Sequence, residues 1–386
     1  MTYPLVEAGE LMARRNGSVN PANFPKETFE LHSIPAFDAG RAAVLLGKEI
    51  GSSKQIVQPN DVMISKIVPH IRRSSVVGAS SGMRQVASGE WIVFRSDRFY
   101  PNYLRQVLVS DNFHSEFMAT VSGVGGSLLR ARPAEVAKIK IPLPSIPEQR
   151  RIAAILDKAD ALRAKRREAI AKLDQLLQSV FLEMFGDPET NPKRWPIGVI
   201  GDLLESVKYG SSEKAALEGD VPILRMNNLT YAGEMDLTHL KYISEEKAEE
   251  KHQVRPGDIL FNRTNSKELV GKTAVYAGPT PMAYAGYLVR GRTRPGQSPE
   301  YISGFLNSSY GKTTLQGMCK SIVGMANINA REFAAIAIPL PPSDLQKTFQ
   351  SQVSNIRDRR AMLKRQSDLF GHFFASLQQR AFAGTL

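Results

Sequence analysis

Several short stretches of this sequence carry residue types that perform chemistry in other proteins. Gly78-Ala79-Ser80-Ser81-Gly82 fits the G-x-S-x-G spacing of a nucleophile elbow, where a strained strand-to-helix turn exposes a serine hydroxyl. Val76 and Val77 would supply the strand, but no helical pattern follows before Gly89 and Trp91, and nothing pairs His114 with Ser80 as its base. The stretch reads as a Gly/Ser surface loop. Gly271-Lys272-Thr273 and Gly311-Lys312-Thr313 both end like a phosphate-binding loop. Ser266 and Leu306 stand where the glycine five positions earlier is required, so the backbone amides cannot form that cradle. Asn191-Pro192-Lys193-Arg194 begins like an adenine-methyltransferase N-P-P-aromatic motif, lacks the second proline and the aromatic, and reads as a turn. The six histidines have no H-x-x-x-H spacing, and Cys319 is the single cysteine, which excludes an intrachain disulfide and a cysteine-rich metal site. The expectation is a chain without catalytic residues, metal or cofactor of its own.

A different chemistry fits better. The 386 residues carry a net charge of +12 with a pI near 9.7, a balance that suits a polyanionic partner. Phosphate contacts need Lys and Arg, and base edges are read by Arg, Lys, Asn, Gln, Ser or Thr on rigid supports. After the strand-like DVMIS (61–65) come Lys66, His70, Arg72, Arg73 and, past the Gly/Ser loop, Arg84. After DILF (258–261) come Asn262, Arg263, Asn265, Lys267 and Lys272. These ten are the candidate DNA-binding residues. Charge is uneven: residues 1–145 hold 17 basic and 12 acidic residues, residues 187–341 hold 18 and 17. The basic run Arg163, Lys165, Arg166, Arg167 would face DNA, a partner's acidic surface, or only solvent.

The elements that must position these residues occur twice. IPLPSIPEQ (141–149) reappears as IPLPPSDLQ (338–346), an offset of 197 residues that also carries Asp61 onto Asp258. Pro101 and Tyr103 match Pro299 and Tyr301 with one residue of slip, and Ser179 and Phe185 fall on Ser376 and Phe382. Ordered coincidences at nearly constant offset mark a duplication of a whole domain plus its connector. Each domain mixes short β-like runs, WIVFR (91–95), DVMIS, DILF and TAVYA (273–277), with short helical patterns such as NYLRQVLVS. Each connector lacks proline after its first residues and repeats mostly apolar positions at alternating spacings of four and three: Phe349, Val353, Ile356, Arg360, Leu363, Ser367, Phe370, Phe374, Leu377, Ala381, and their counterparts 197 residues earlier. That is the stripe of a helix packed lengthwise against another. The expected divisions are 1–145 and 187–341 for the domains, 146–186 and 342–386 for the helices. Pairing of two head-to-tail copies through an approximate two-fold axis would run the helices antiparallel.

At this point the sequence resembles a family, the specificity (S) subunits of type I restriction-modification enzymes. The resemblance rests on IPLPSIPEQRRIAAILDKADALRAKR followed by LLQSVFLEMFGD, on the second IPLP with its closing helix, and on PNDVMIS and PGDILFN. The second junction departs, with Ser-Asp-Leu-Gln where the first has Ile-Pro-Glu-Gln. The resemblance implies an α+β fold: two similar mixed α/β target-recognition domains separated by two long helices forming an antiparallel coiled coil, with an internal two-fold pseudo-repeat. It implies that the domains read the halves of a bipartite, asymmetric site in double-stranded DNA. It also implies that two adenine-N6 methyltransferase subunits dock on the helices and junctions, with Pro144, Pro147, Glu148, Gln149, Arg150, Ile152, Pro341 and Gln346 as candidate contacts. ATP-dependent restriction/translocase subunits would join through them, and S-adenosylmethionine, ATP and Mg2+ would belong to those partners. A cytoplasmic setting is expected, the start MTYPLVEAGE lacking signal-peptide character. The alternative is a coiled-coil protein–protein adapter without DNA specificity.

Overall fold

The computed structural model describes residues 3–14, 16–123, 129–266, 268–322 and 325–386. The chain forms two compact units, Met1–Arg167 with Arg365–Leu386, and Glu168–Lys364. The boundaries fall inside two long helices, Ile146–Phe185 and Ser343–Ala383. Each unit therefore holds one mixed domain, the first half of the helix that follows it, and the last half of the other helix. Among the described residues no helix is long and apolar enough to cross a membrane.

The first unit is closed by a clasp. Strand Leu5–Glu7 pairs antiparallel with Lys140–Pro142, so the start of the domain is tied to its end. At its centre Val62–Ser65 pairs antiparallel with Ser74–Val76 and with Trp91–Phe94. The central strand and Trp91–Phe94 are buried at every position, as continuous apolar runs require when both faces are covered. A second, five-stranded sheet runs in the order Ser18–Val19, Lys54–Ile56, Arg84–Ala87, Thr28–His32, Ala43–Leu46. Its third and fourth strands, Arg84–Ala87 and Thr28–His32, are parallel. Helix Pro101–Leu108 starts on a proline, and Ser110 caps helix Asp111–Ala119 by accepting from the Phe113 amide.

The second unit repeats this plan. Ile197–Val199 clasps Ala337–Pro339. The central strand Ile259–Asn262 lies between Thr273–Val275 and Leu288–Thr293, with Leu204–Tyr209 added at the edge. The other sheet runs Lys241–Ile243, Val221–Leu224, Met282–Tyr284, Gln253–Val254, again with one parallel pair, here in the middle. Helices Pro299–Asn307 and Ser309–Met318 repeat the proline start and the serine cap, Ser308. The strands read from DVMIS, WIVFR, DILF and TAVYA all form.

Side-chain fastenings recur too. Asp61, 1% exposed, takes a two-pronged ion pair from Arg95 (Nε–Oδ1 2.7 Å, Nη2–Oδ2 2.5 Å). Asp258, 1% exposed, takes the same from Arg292 (2.7 and 2.8 Å). Tyr103 donates its hydroxyl to the Pro142 carbonyl at 2.8 Å, and Tyr301 to Pro339 at 2.7 Å. The helix halves in each unit run antiparallel. Arg163 stacks on Phe374 and Arg166 on Phe370 in the first, while Phe181 meets Phe349 and Asp174 meets Arg360 in the second. The α+β, internally repeated class read from the sequence is the class observed.

Candidate nucleic-acid interface

The residue that leaves the central strand occupies one backbone node in both units. The Lys66 amide donates to the Glu90 carbonyl at 2.9 Å, and its carbonyl accepts from the Ala131 amide at 2.8 Å. The Arg263 amide donates to the Tyr287 carbonyl at 3.0 Å, and its carbonyl accepts from the Ile328 amide at 2.9 Å. All three positions differ by 197 residues. The node welds the post-strand segment to a hairpin, Val121–Ser122 with Arg130–Ala131 in the first unit and Lys320–Ile322 with Met325–Asn327 in the second. A cation held on two backbone hydrogen bonds at a sheet edge is rigidly placed, as readout of an anionic polymer requires.

What surrounds the node differs. In the first unit Glu90 pairs with Arg130 at 3.4 Å, Lys66 is half-buried, and His70 is exposed with no side-chain hydrogen bond or ion pair among the described residues. In the second unit Tyr287, 53% exposed, stands where Glu90 was, and Arg263 lies 5.0 Å from the ring of Tyr209, 45% exposed. Arg263 Nη1 donates to the Gly286 carbonyl at 3.3 Å, and the Tyr209 hydroxyl accepts from the Ala330 amide at 3.0 Å. A guanidinium over one exposed phenol ring, with the exposed Tyr287 on the same backbone node, offers planar surface as well as charge. Sequence reading missed both tyrosines, though applying the 197-residue offset to Glu90 would have pointed to Tyr287.

The other candidates separate into two groups. Arg73 is buried and holds Asp38 through two hydrogen bonds, 2.7 and 2.9 Å. Asn262 is fully buried, and its amide donates to the Leu269 carbonyl. Lys272 is 8% exposed and donates to the Met226 carbonyl at 2.7 Å; burial pushes its pKa down. Asn262 is the last residue of the central strand, and Arg73 and Lys272 immediately precede the strands Ser74–Val76 and Thr273–Val275 that pair with the central strands, so all three are built into the fold. Arg72 is exposed but engaged with Asp111 at 2.6 Å, and Arg84 pairs with Glu27 at 2.7 Å while lying over Phe24 and Phe29. Asn265 is half-buried beside Met226, and its Oδ1 accepts from the Ser266 amide. Lys267 lies outside the described residues. Lys66 and His70 in the first unit, and Arg263 and Asn265 in the second, thus remain the half-buried or exposed candidates around their nodes.

At the junctions the duplicated glutamines act as staples. Gln149 accepts from the Tyr100 amide at 2.7 Å and donates to the Arg98 and Pro144 carbonyls at 3.0 and 2.8 Å. Gln346 accepts from the Ser298 amide at 3.1 Å and donates to Gln297 Oε1 and the Pro341 carbonyl, both at 3.0 Å. Pro144, Ile152 and Pro341 are buried with them. Glu148, held well below the usual carboxylate range at about 2 by Arg151 and the Tyr3 hydroxyl, is half-exposed, while Pro147 and Arg150 are exposed. A visiting surface at the first junction would meet Pro147, Glu148 and Arg150.

The apparent motifs do not assemble. Ser81 donates to Glu30, Ser80 accepts from the Gly82 amide, and His114 is in neither arrangement. Lys312 donates to Asn307 Oδ1 at 2.9 Å and lies over the Tyr231 ring; burial and the charge of Lys272 push its pKa down to about 8.

The model of the type I restriction modification DNA specificity domain matches residues 91–172. A Methanocaldococcus jannaschii protein assigned as the MjaX specificity subunit of a type I restriction enzyme is 26% identical over 197 residues, 50% of this chain and 46% of that protein, so the match spans about half of that relative. The EcoKI type I specificity subunit of Escherichia coli K12 is 23% identical over 335 residues, 81% of this chain and 71% of that one. In fold, a chain from a structure on complex assembly and conformational transition of a type I R-M system matches with TM-score 0.64 at 20% identity, covering 100% of this chain and 98% of that one. The type I S subunit from M. genitalium matches with TM-score 0.58 at 12% identity, covering 99% and 96%. In sequence the chain is thus similar to specificity subunits of type I restriction-modification enzymes, and its fold is similar to that of solved chains from such systems.

Proposed function

We propose that this chain is a non-catalytic, sequence-specific DNA-recognition subunit, each unit using the surface around its central-strand node to read one half of a bipartite, asymmetric duplex site. The observation that carries the reading is the node itself. Lys66 and Arg263 share one backbone setting, yet one neighbours a Glu–Arg pair and the other two exposed tyrosines. A common frame with divergent side chains is what two readers of different half-sites need. Two adenine-N6 methyltransferase subunits dock on the helices and junctions, meeting Pro147, Glu148 and Arg150 at the first. ATP-dependent restriction/translocase subunits join through them, and S-adenosylmethionine, ATP and Mg2+ act on those partners.

The test is co-expression with the cognate methyltransferase, followed by mapping of N6-methyladenine. The expected result is methylation at a split motif and none from the chain alone. A contiguous motif, or methylation without the partner, overturns the reading. Affinity for duplex DNA should fall steeply with salt as counterions are released; an affinity indifferent to salt would favour the protein–protein adapter.

A further inference from the structure

Duplication creates an assembly problem. Each half of the chain, a domain with the helix that follows it, presents nearly the same frame to the last half of the other helix. Nothing in that shared frame tells the first half to pair with the second and not with another copy of itself. Among the places where the two seams differ is a matched pair of buried positions. In the first unit Gln106 and Gln378, 1% and 6% exposed, meet: Gln378 Nε2 donates to Gln106 Oε1 at 3.4 Å, and Gln106 Nε2 donates to Asp157 at 2.8 Å. In the second unit the same positions are Gly304 and Phe181. A Cβ on Gly304 would stand 2.8 Å from Phe181 Cδ2 and 3.2 Å from Phe349, so the phenyl ring fills the space a side chain would need. The equivalence is anchored by the neighbouring aromatics: Tyr103 meets Phe382 at 5.9 Å between ring centroids, and Tyr301 meets Phe185 at 4.6 Å.

We infer that Gln106–Gln378 and Gly304–Phe181 form a pairing code that makes the two halves of the chain associate with each other and not each with its own kind. Each half carries one member of both pairs: the first half has Gln106 and Phe181, the second has Gly304 and Gln378. Two first halves would set Gln106 against Phe181, a steric clash over a buried amide. Two second halves would set Gly304 against Gln378, a cavity beside an amide without a partner. Both mismatches occur twice in a symmetric pair. At about tenfold for each unsatisfied buried amide, like pairs are disfavoured roughly a hundredfold.

The full chain can be nicked after folding through a protease site inserted between the exposed Glu189 and Thr190. The halves are then allowed to exchange in sub-denaturing urea, with an isotope-labelled second half verifying exchange, and weighed by native mass spectrometry. The parent protein should recover only unlike pairs. The variant Gly304→Gln/Phe181→Gln/Phe349→Ile, which gives the second seam the residues of the first, should yield like pairs in amounts comparable to unlike ones. Its reciprocal, Gln106→Gly/Gln378→Phe/Ile152→Phe, should do the same and guards against one variant folding poorly. Like pairs in the parent protein, or exclusively unlike pairs in both exchanging variants, would overturn the code.

Discussion

The two units solve the same packing problem with opposite polarity. In the first, the carboxylate sits on the long helix: Asp157 accepts from Asn102, Arg105 and Gln106 of the domain, each at 2.8 Å. In the second, the carboxylate sits on the domain: Glu300, at the position of Asn102, accepts from Arg357 of the helix at 2.5 Å. The next contact along the seam also differs. Arg163 lies over the Phe374 ring, whereas its counterpart Arg360 is tied to both Asp174 and Glu234. Backbone geometry survived duplication, while side-chain chemistry drifted wherever each contact could find its own complement. A frame is shared; its fastenings are local.

The strongest way to test that frame is to break its most buried shared fastening. Removing one partner of a buried ion pair costs about 3–5 kcal/mol, because the other charge is left uncompensated. Asp61→Ala strands Arg95 and the Gln58 amide. Asp258→Ala strands Arg292, the Arg255 amide, and also Arg290, which is 2% exposed with its Nε 4.0 Å from the carboxylate. Denaturant unfolding should show the larger loss for Asp258→Ala. Equal losses would mean that the extra arginine contributes nothing, and the two pairs are interchangeable.

Next come the junction glutamines, where each amide satisfies three groups. Gln149→Ala and Gln346→Ala should each cost about 2–4 kcal/mol, since several polar groups lose their partners in the interior. The second loss should be the smaller, because Gln297 is a side chain that can turn elsewhere while the Arg98 carbonyl is fixed. Thermal melting of the two variants decides this, and a smaller loss for Gln149→Ala would reverse the ranking. These glutamines also show where sequence reading stops. The repeat, the helices and the strands were legible because periodicity and offset are one-dimensional. That Gln149 and Gln346 face inward was not, since a polar residue at a helix start looks the same whether it caps a loop or greets a partner. Arg73, Asn262 and Lys272 stayed ambiguous for the same reason, their partners Asp38, Leu269 and Met226 being distant or unremarkable in sequence. The Asp61–Arg95 pair was half visible: the aspartate stood out in the repeat, its arginine did not.

A titration separates the units more gently. His114 and Lys312 occupy equivalent helix positions. Burial lowers the His114 pKa, helped by Arg72 and His70 and opposed by Asp111; burial with Lys272 lowers that of Lys312 to about 8. A base whose folded pKa lies below its unfolded value takes up more protons when unfolded, so stability rises with pH across the window between the two values. For His114 that window lies below the ordinary histidine value, for Lys312 between about 8 and the ordinary lysine range. Raising the pH from 8 to above 10 should stabilise the parent relative to Lys312→Met by about 2 kcal/mol. His114→Phe should flatten the corresponding slope on the acid side. A pH-independent difference in either comparison would remove the charge argument for that unit.

The smallest effect on stability is the one that bears most on function. Lys66→Ala and Arg263→Ala remove side chains whose backbone nodes stay intact, so melting should move by less than about 0.5 kcal/mol. If the chain reads DNA as proposed, Lys66→Ala co-expressed with the cognate methyltransferase should weaken DNA binding by about 1 kcal/mol and lower the salt slope by about one. Arg263→Ala should cost about 1–3 kcal/mol and relax the choice of base at one position, because a planar guanidinium steadied by Tyr209 can engage a base edge that an ammonium cannot. Methylation-sensitive sequencing reports both, with each variant expected to disturb one half of the split motif and leave the other unchanged. If Arg263→Ala degraded both halves together, the node would serve assembly, and the reading surface would have to be sought away from the central-strand nodes.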